Sequence, residues 1–462
     1  MPPTFEHLVV LMLENRSFDH MLGYLKSSIY PIDGLSGNET NPSSDGTHDI
    51  AVSPHALAAG DLNPDPGHDF EDVNVQLFGT RTTPSGDATP TMQGFVRNYA
   101  TIDATQRHGS SIMKCFAPGS LPILATLATQ YAICDRWFSS VPGPTSPNRM
   151  FAHAGWSLGL VEPEPDLYDL RTIFELFDTD LHGDYRIYHH GGFTLLLSIK
   201  HMIEDQHGFR DFNKFASDCA RGDLPAYSFI EPRYANDKSS GSFFAANDQH
   251  PNHDVIEGDR LIRDVYTAIR RNEQLWHNTL LLILNDEHGG IYDHVPPPSI
   301  PPFDPKTPGF KFDRLGLRVP AVLVSPYIKP RTIVHTQFEH SSIIATLLKR
   351  FGKPGMSLGR SAHATPFDFD TIPHLDTPRT DRIVFPRHEQ LERDPQPARS
   401  ATADAPPTEL AMQMARGLHR TLARLRIPAP RAVATIATEQ HASDFMRDAA
   451  RMIADGGTNA PA

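Results

Sequence analysis

Two stretches of this chain place hard oxygen donors directly after apolar runs. Residues 7 to 13 (HLVVLML) lead into Glu14, Asn15, Arg16, Ser17, Phe18 and Asp19, and residues 280 to 285 (LLLILN) lead into Asp286, Glu287, His288, Gly289 and Gly290. Carboxylate and amide oxygens suit a hard divalent cation. Asp19 is explained well enough as a helix cap, but Glu14 at a buried strand end needs a partner. Asp286 and Glu287 repel each other at a sheet edge, raising one pKa strongly, unless a cation lies between or near them. Gly289 and Gly290 then let backbone approach the site closely.

A third stretch, Val141 to Arg149 (VPGPTSPNR), supplies a hydroxyl. Pro147 suits the first turn of a helix, which puts Thr145 or Ser146 at the N-cap, where free N–H groups and the helix dipole favour an anion. By itself the segment reads as a cap. Beside a divalent cation the hydroxyl becomes a nucleophile that can attack phosphorus, with Asn148 or Arg149 holding phosphate oxygens. Histidines supply the remaining parts: His68, His189, His190, His250, His253, His288, His294 and His340 all fall in loops or at element ends. Imidazole offers a cation for phosphoryl oxygens, or an acid for a leaving oxygen, near neutral pH.

The elements that must position these groups are legible as short runs bounded by turn residues. Strands are expected at 7–13, 132–138, 185–189, 226–230, 279–285 and 319–325, in the style of strands buried on both faces of a parallel sheet. Amphipathic helices are expected at 257–272 and 340–351, with another at 18–26. The alternation predicts an α/β fold, a mostly parallel central sheet with helices on both faces. Ligands of such sheets bind beyond the carboxyl ends of the strands, where the three stretches converge.

Residues 1–354 are read as one catalytic domain in which 31–92, rich in Pro, Gly, Asp, Ser and Thr, forms a long loop or lid. Residues 355–407 read as a Pro-rich extended segment, and 408–462 as C-terminal helices (408–425 and 438–453) packed on the core.

Composition narrows the field. The chain has 462 residues and a net charge of −13, which argues against nucleic acid or an anionic membrane surface as a general partner. No apolar run is long enough to span a bilayer. Three cysteines without CxxC spacing point to core thiols rather than a disulfide framework or thiolate metal site. No signal peptide is visible, so the expected location is cytoplasmic for the chain as it stands, and secreted or periplasmic if it is already processed.

The strings LENRSFDHMLGYL, GPTSPNR, HPNHDVIEGDRLI, ILNDEHGGIYDHVPPP and FEHSSI resemble, in order and over about residues 5 to 352, the phosphoesterase family of bacterial phospholipases C and AcpA-type acid phosphatases. The resemblance implies an alkaline phosphatase-like fold. It implies metal ligation by Glu14, Asn15, Asp286 and Glu287, and phosphorylation of Thr145. His68 and His250 are then expected to contact phosphate or the leaving group. His189 or His190 matches only by spacing, and His190 and His253 join Asn148 and Arg149 as expected substrate contacts.

The implied reaction is hydrolysis of a phosphatidylcholine-like phospholipid to diacylglycerol and a phosphorylated head group through a phosphothreonine. Ca²⁺, Mg²⁺ or Mn²⁺ suits the oxygen-rich ligand set, with Zn or Fe left open by the histidines. The family's lipases usually carry a twin-arginine signal and C-terminal β domains, and this chain shows neither. Alternatives are an acid phosphatase acting on small monoesters and a non-catalytic, metal-stabilised binding protein. A sulfatase is disfavoured, because Thr145 stands where that chemistry needs a modified Cys or Ser. The oligomeric state is not legible.

Overall fold

A computed structural model describes residues 3–84, 88–103, 109–162, 166–190, 194–238, 243–303, 309–392 and 406–457. Parts of the loop at 31–92 (residues 85–87), of the Pro-rich segment (393–405) and of the C-terminus (458–462) therefore lie outside the described residues. In chain order the strands are β1 His7–Leu13, β2 Thr40–Pro42, β3 Asp49–Ala51, β4 Ala132–Cys134, β5 Tyr185–His189, β6 Phe209–Asp211, β7 Tyr227–Ile230, β8 Thr279–Asn285, β9 Ala321–Val324 and β10 Thr332–Val334.

Eight of them form one sheet in the order β10-β4-β9-β8-β1-β7-β5-β6. All its pairings are parallel except those of β9, which runs antiparallel to β4 and β8. Every residue of β8 and all but the first of β1 are buried, so both faces of the sheet centre are covered by helices. This is the α/β architecture expected from the alternation of elements.

The differences are at the margins. β6 and β10 are three-residue edge strands, too short to stand out as apolar runs. The run at 132–138 is a strand only through Cys134; beyond it, Trp137 and Phe138 make isolated bridges to Phe338 and Arg318. Segment 31–92 is more structured than its composition suggests. It contains the β2–β3 hairpin and helix Phe70–Phe78, whose Val73 and Leu77 join Phe95, Val96 and Tyr99 in a separate apolar cluster. Within 355–407, Phe367, Phe369, Ile372 and Leu391 dock on the main core. Helices Glu409–Arg424 and Glu439–Gly457 pair with each other and pack on Leu197, Ile203, Tyr234 and Ala235. Among the described residues no helix is long and apolar enough to cross a membrane.

Candidate active site

Neighbouring central strands deliver the oxygen donors to one place. β1 and β8 pair in parallel with Leu13 opposite Asn285, so Glu14 and Asp286 leave the sheet side by side. The backbone N–H of Asp286 donates to Leu13 O at 3.1 Å, and Asn285 Nδ2 donates to Glu14 O at 2.8 Å. Asn15 then takes a left-handed conformation with φ of 47°, which an Asn tolerates better than most residues. Its N–H donates to Asp286 Oδ1 at 3.1 Å. Gly289, at φ of 64°, passes so close that a Cβ there would stand 2.2 Å from Asn15 O, so no other residue fits.

Thr145 meets this pair from helix Thr145–Ala154. The N-cap is Pro144, so neither Thr145 nor Ser146 caps the helix as expected; Thr145 is the first helical residue and makes no side-chain cap bond. Its hydroxyl is thereby left to the site. It donates to Glu14 Oε2 at 3.2 Å and accepts from Asn15 Nδ2 at 3.2 Å, and the residue is 3% exposed. Asn15 Nδ2 also donates to Glu287 Oε1. Glu14, Asn15, Thr145, Asp286 and Glu287 thus form one buried constellation.

Its electrostatics are unbalanced. Arg149 Nε donates to Asp286 at 3.0 Å, Nη1 to Glu231 at 2.8 Å, and Nη2 to Glu14. Glu14, Asp286, Glu287 and Glu231 are all fully buried around that single guanidinium. Burial, with Asp286 and Asp248 nearby, pushes Glu14 well above the usual carboxylate range despite Arg149. Asp286 is raised by burial and, against Arg149, by Glu287. Glu287 is held low: burial opposes this, but the facing His68, His288 at 3.3 Å and the Gly289 N–H at 2.7 Å prevail. The expected conflict between Asp286 and Glu287 therefore falls on Glu14 and Asp286.

One guanidinium, Arg149, thus faces three buried carboxylates, Glu14, Glu231 and Asp286, while Glu287 faces His68, itself raised to about 10 by Glu287 and Asp65 against its burial. Asn15 Oδ1 is buried without a hydrogen-bond partner. A surplus of buried charge beside an orphaned amide oxygen fits a divalent cation held by Glu14, Asn15, Asp286 and Glu287, and the all-oxygen set suits a hard one.

The histidines separate into two layers. His68 donates through Nδ1 to Pro66 O at 2.7 Å, and its ring lies 6.4 Å from that of His250. His250 Nε2 is 3.3 Å from Asp65. Burial, with His253, His68 and Arg16 nearby, lowers His250 well below the ordinary imidazole range. Arg16 holds this loop by donating to Gln249 O at 2.6 Å and His250 O at 3.1 Å. Behind them His288 engages Gln76 at 2.8 Å, and His340 donates from Nε2 to Asp286 O while its Nδ1 accepts from Trp137.

Four residues expected to contact substrate have protein partners in this structure. Asn148 bonds only its own loop: it accepts from Val141 N at 2.9 Å and donates to the carbonyls of Val141, Gly143 and Pro144. It staples the turn that presents Thr145. Arg149 is 2% exposed and engaged by three carboxylates and by the Met12 and Leu13 carbonyls. His253 lies between Asp248 (2.7 Å) and Glu439 (3.5 Å). His190 donates to Glu231 O at 3.0 Å and stacks on Phe212.

Asp65, Asp248, Glu231, Tyr234 and Glu439 were missed from sequence. Glu231 follows β7 directly and obeys the same strand-end rule as Glu14. It accepts from Thr194 at 2.7 Å and from Tyr234. Asp65 stands three residues before His68. Asp248 and Glu439 carry no local signal.

Among the described residues the groups with metal-ligand spacing are Asp19–Asp293–His294 and Asp178–Asp205–His207, not Glu14–Asp286–Glu287. In the first, Arg318 donates to Asp293 at 2.9 Å and to Asp19 at 3.0 Å, and His294 is raised to about 10 by hydrogen bonds to Asp19 and Asp33 that outweigh burial. Two cations of its own already occupy it. The second lies at the surface, where its histidine sits in a shell of carboxylates.

A buried hydroxyl, carboxylates and imidazoles thus gather beyond the carboxyl ends of an α/β sheet, and comparison with known proteins gives the class. The model of the phosphoesterase family matches residues 5–354. "Non-specific phospholipase C6" of Arabidopsis thaliana is 41% identical over 397 residues, covering 81% of this chain and 73% of its own. "Phospholipase C B" of Mycobacterium tuberculosis is 26% identical, covering 85% of this chain and 82% of its own. A solved alkaline phosphatase superfamily protein from Vibrio parahaemolyticus overlaps 75% of this chain and 66% of its own at 10% identity, with a TM-score of 0.35. The chain belongs to the phosphoesterase family and is a hydrolase of ester bonds. The non-catalytic binding reading falls away.

Proposed function

We propose that this protein is a divalent-cation-dependent phospholipase C that cleaves a phosphatidylcholine-like lipid to diacylglycerol and a phosphorylated head group, with Thr145 as nucleophile. The carrying observation is the Thr145 hydroxyl, 3.2 Å from both Glu14 and Asn15, at the start of a ten-residue helix. The names of the relatives support the phospholipid substrate. A divalent cation held by Glu14, Asn15, Asp286 and Glu287 would supply positive charge to the phosphoryl oxygens and to the threonine oxygen.

The residues do the following. Thr145 Oγ1, its proton directed at Glu14, attacks phosphorus in line; the Thr–O–P bond forms as the bond to the diacylglycerol oxygen breaks. His68, held protonated by the facing Glu287 and Asp65, protonates the departing alcohol, and neutral His250 beside it offers a hydrogen bond to the phosphoryl oxygens. Water, giving its proton to His68, then attacks the phosphothreonine; the P–O bond to Thr145 breaks, the Thr145 oxygen takes back its proton from Glu14, and the phosphorylated head group leaves. Asp65 keeps His250 in place, and Asn148 holds the turn that aims Thr145.

The test is turnover of p-nitrophenylphosphorylcholine and p-nitrophenyl phosphate by wild type, chelated protein and Thr145→Ala. Thr145→Ala is expected to lose at least about 10³-fold in kcat with little change in melting temperature. Quenched wild-type enzyme should yield a phosphorylated Thr145 peptide by mass spectrometry. Wild-type-like turnover by Thr145→Ala would sink the mechanism, and turnover of the monoester alone would move the substrate to that of an acid phosphatase.

A further inference from the structure

Helix Glu439–Gly457 lies beyond the residues that match the family, yet its first residue is buried against the segment carrying His250. Glu439 is 3% exposed. Its Oε2 accepts from Asn236 N at 2.9 Å and from Asn236 Nδ2 at 2.7 Å, and its Oε1 faces His253 Nε2 at 3.5 Å. On its other side, His253 Nδ1 holds Asp248 Oδ1 at 2.7 Å. That same oxygen accepts the His250 N–H at 3.2 Å, and the Asp248 carbonyl accepts the Glu14 N–H at 2.7 Å. A glutamate at a helix start is normally solvated, so burying this one is costly without paired partners. Facing carboxylates raise His253 to about 10 against its burial, making it the cation between two anions.

We propose that Glu439 is a positioning residue of the active site: through His253 and Asp248 it sets the backbone of His250 and of Glu14, so the C-terminal helix adds an outer brace to a loop that Arg16 and Asp65 hold from within the family-matching residues. This rests on the roles given above to Glu14 and His250. Loss of the Glu439 charge leaves His253 with one partner and lets Asp248 relax. A displacement of that kind disturbs the alignment of reacting atoms more than the capture of substrate.

Steady-state kinetics of the full chain on p-nitrophenylphosphorylcholine, for Glu439→Gln, His253→Gln and their double variant, test the relay. Arg447→Met is the control. It loosens the same helix by removing a 2.8 Å ion pair to Asp237 but does not touch His253. Glu439→Gln is expected to lower kcat about 10- to 100-fold with KM within about twofold. The double variant should be no slower than the slower single one, because both act through one chain of contacts. Glu439→Asp, which keeps the charge, should recover most of kcat, and Arg447→Met should lower the melting temperature while keeping kcat.

Wild-type kcat in Glu439→Gln, losses that multiply in the double variant, or an equal fall in Arg447→Met would each overturn the proposal. If Glu439→Gln does not fold, His253→Gln and Glu439→Asp carry the test: wild-type kcat in the former overturns it. Thr145→Ala in the same assay separates the two readings. An active Thr145→Ala defeats the nucleophile, whereas an inactive Thr145→Ala beside a fully active Glu439→Gln defeats only the relay.

Discussion

The segments after β1 and β8 build two buried ionic clusters within a few residues of each other. Around Arg149 stand Glu14, Asp286 and Glu231, with Glu287 alongside; around Arg318 stand Asp19 and Asp293, with Asp33 at its edge. The second cluster is neutral, because Arg318, His294 and Arg136 match the three carboxylates. The first is not, and its Asn15 Oδ1 has no partner. Both gather buried carboxylates about one guanidinium. What separates a lock from a cation site is the charge left over after the protein's own partners are counted.

The largest effect that would break this contrast is in Glu14→Gln. It should lose about 10³-fold or more in kcat, while in chelator it gains about 1 kcal/mol of stability by removing one buried, repelled charge. Thermal melts beside kinetics check both signs. Next, Arg318→Met should cost about 3–5 kcal/mol by leaving Asp19 and Asp293 uncompensated, with no recovery on adding a divalent cation; urea melts with and without Mn²⁺ read this.

A third, smaller effect belongs to the wild type. At a cation concentration roughly 100 times Kd it should gain about 2.7 kcal/mol, and Asp286→Asn should not. Equal protection of both would place the cation elsewhere.

The last effect, gradual rather than abrupt, is in pH. His294 has a folded pKa of about 10 against an ordinary 6.5. Its contribution is therefore complete below about pH 6.5 and fades as pH rises toward 10, with a slope of at most about 1.4 kcal/mol per unit. His294→Gln should flatten the stability profile over that window.

What the sequence reveals follows from how local each signal is. The central strands and the donors behind them are contiguous, so Glu14, Asn15, Asp286 and Glu287 are legible from runs such as LVVLML and LLLILN. Thr145 is legible from the Pro-rich turn before its helix, although the cap itself proves to be Pro144. Arg149 and Asn148 illustrate the limit. Their types suit phosphate, but only tertiary structure shows that a buried ion network and a turn claim every donor. The stripe Phe70, Val73, Leu77 was legible at helical spacing and hidden by its Pro- and Gly-rich surroundings. Glu439 could not be read at all, because nothing within 180 residues of His253 announces a contact made across the molecule.

The pairing of Leu13 with Asn285 joins parts of the chain that are remote in sequence, and such contacts form late because closing a long loop is entropically costly. A cation pocket built from the residues just past that pairing is then expected only once the pairing has formed. Added metal ions should therefore leave the refolding rate almost untouched and slow unfolding instead. Ion uptake during refolding would report completion of the last step, not its initiation.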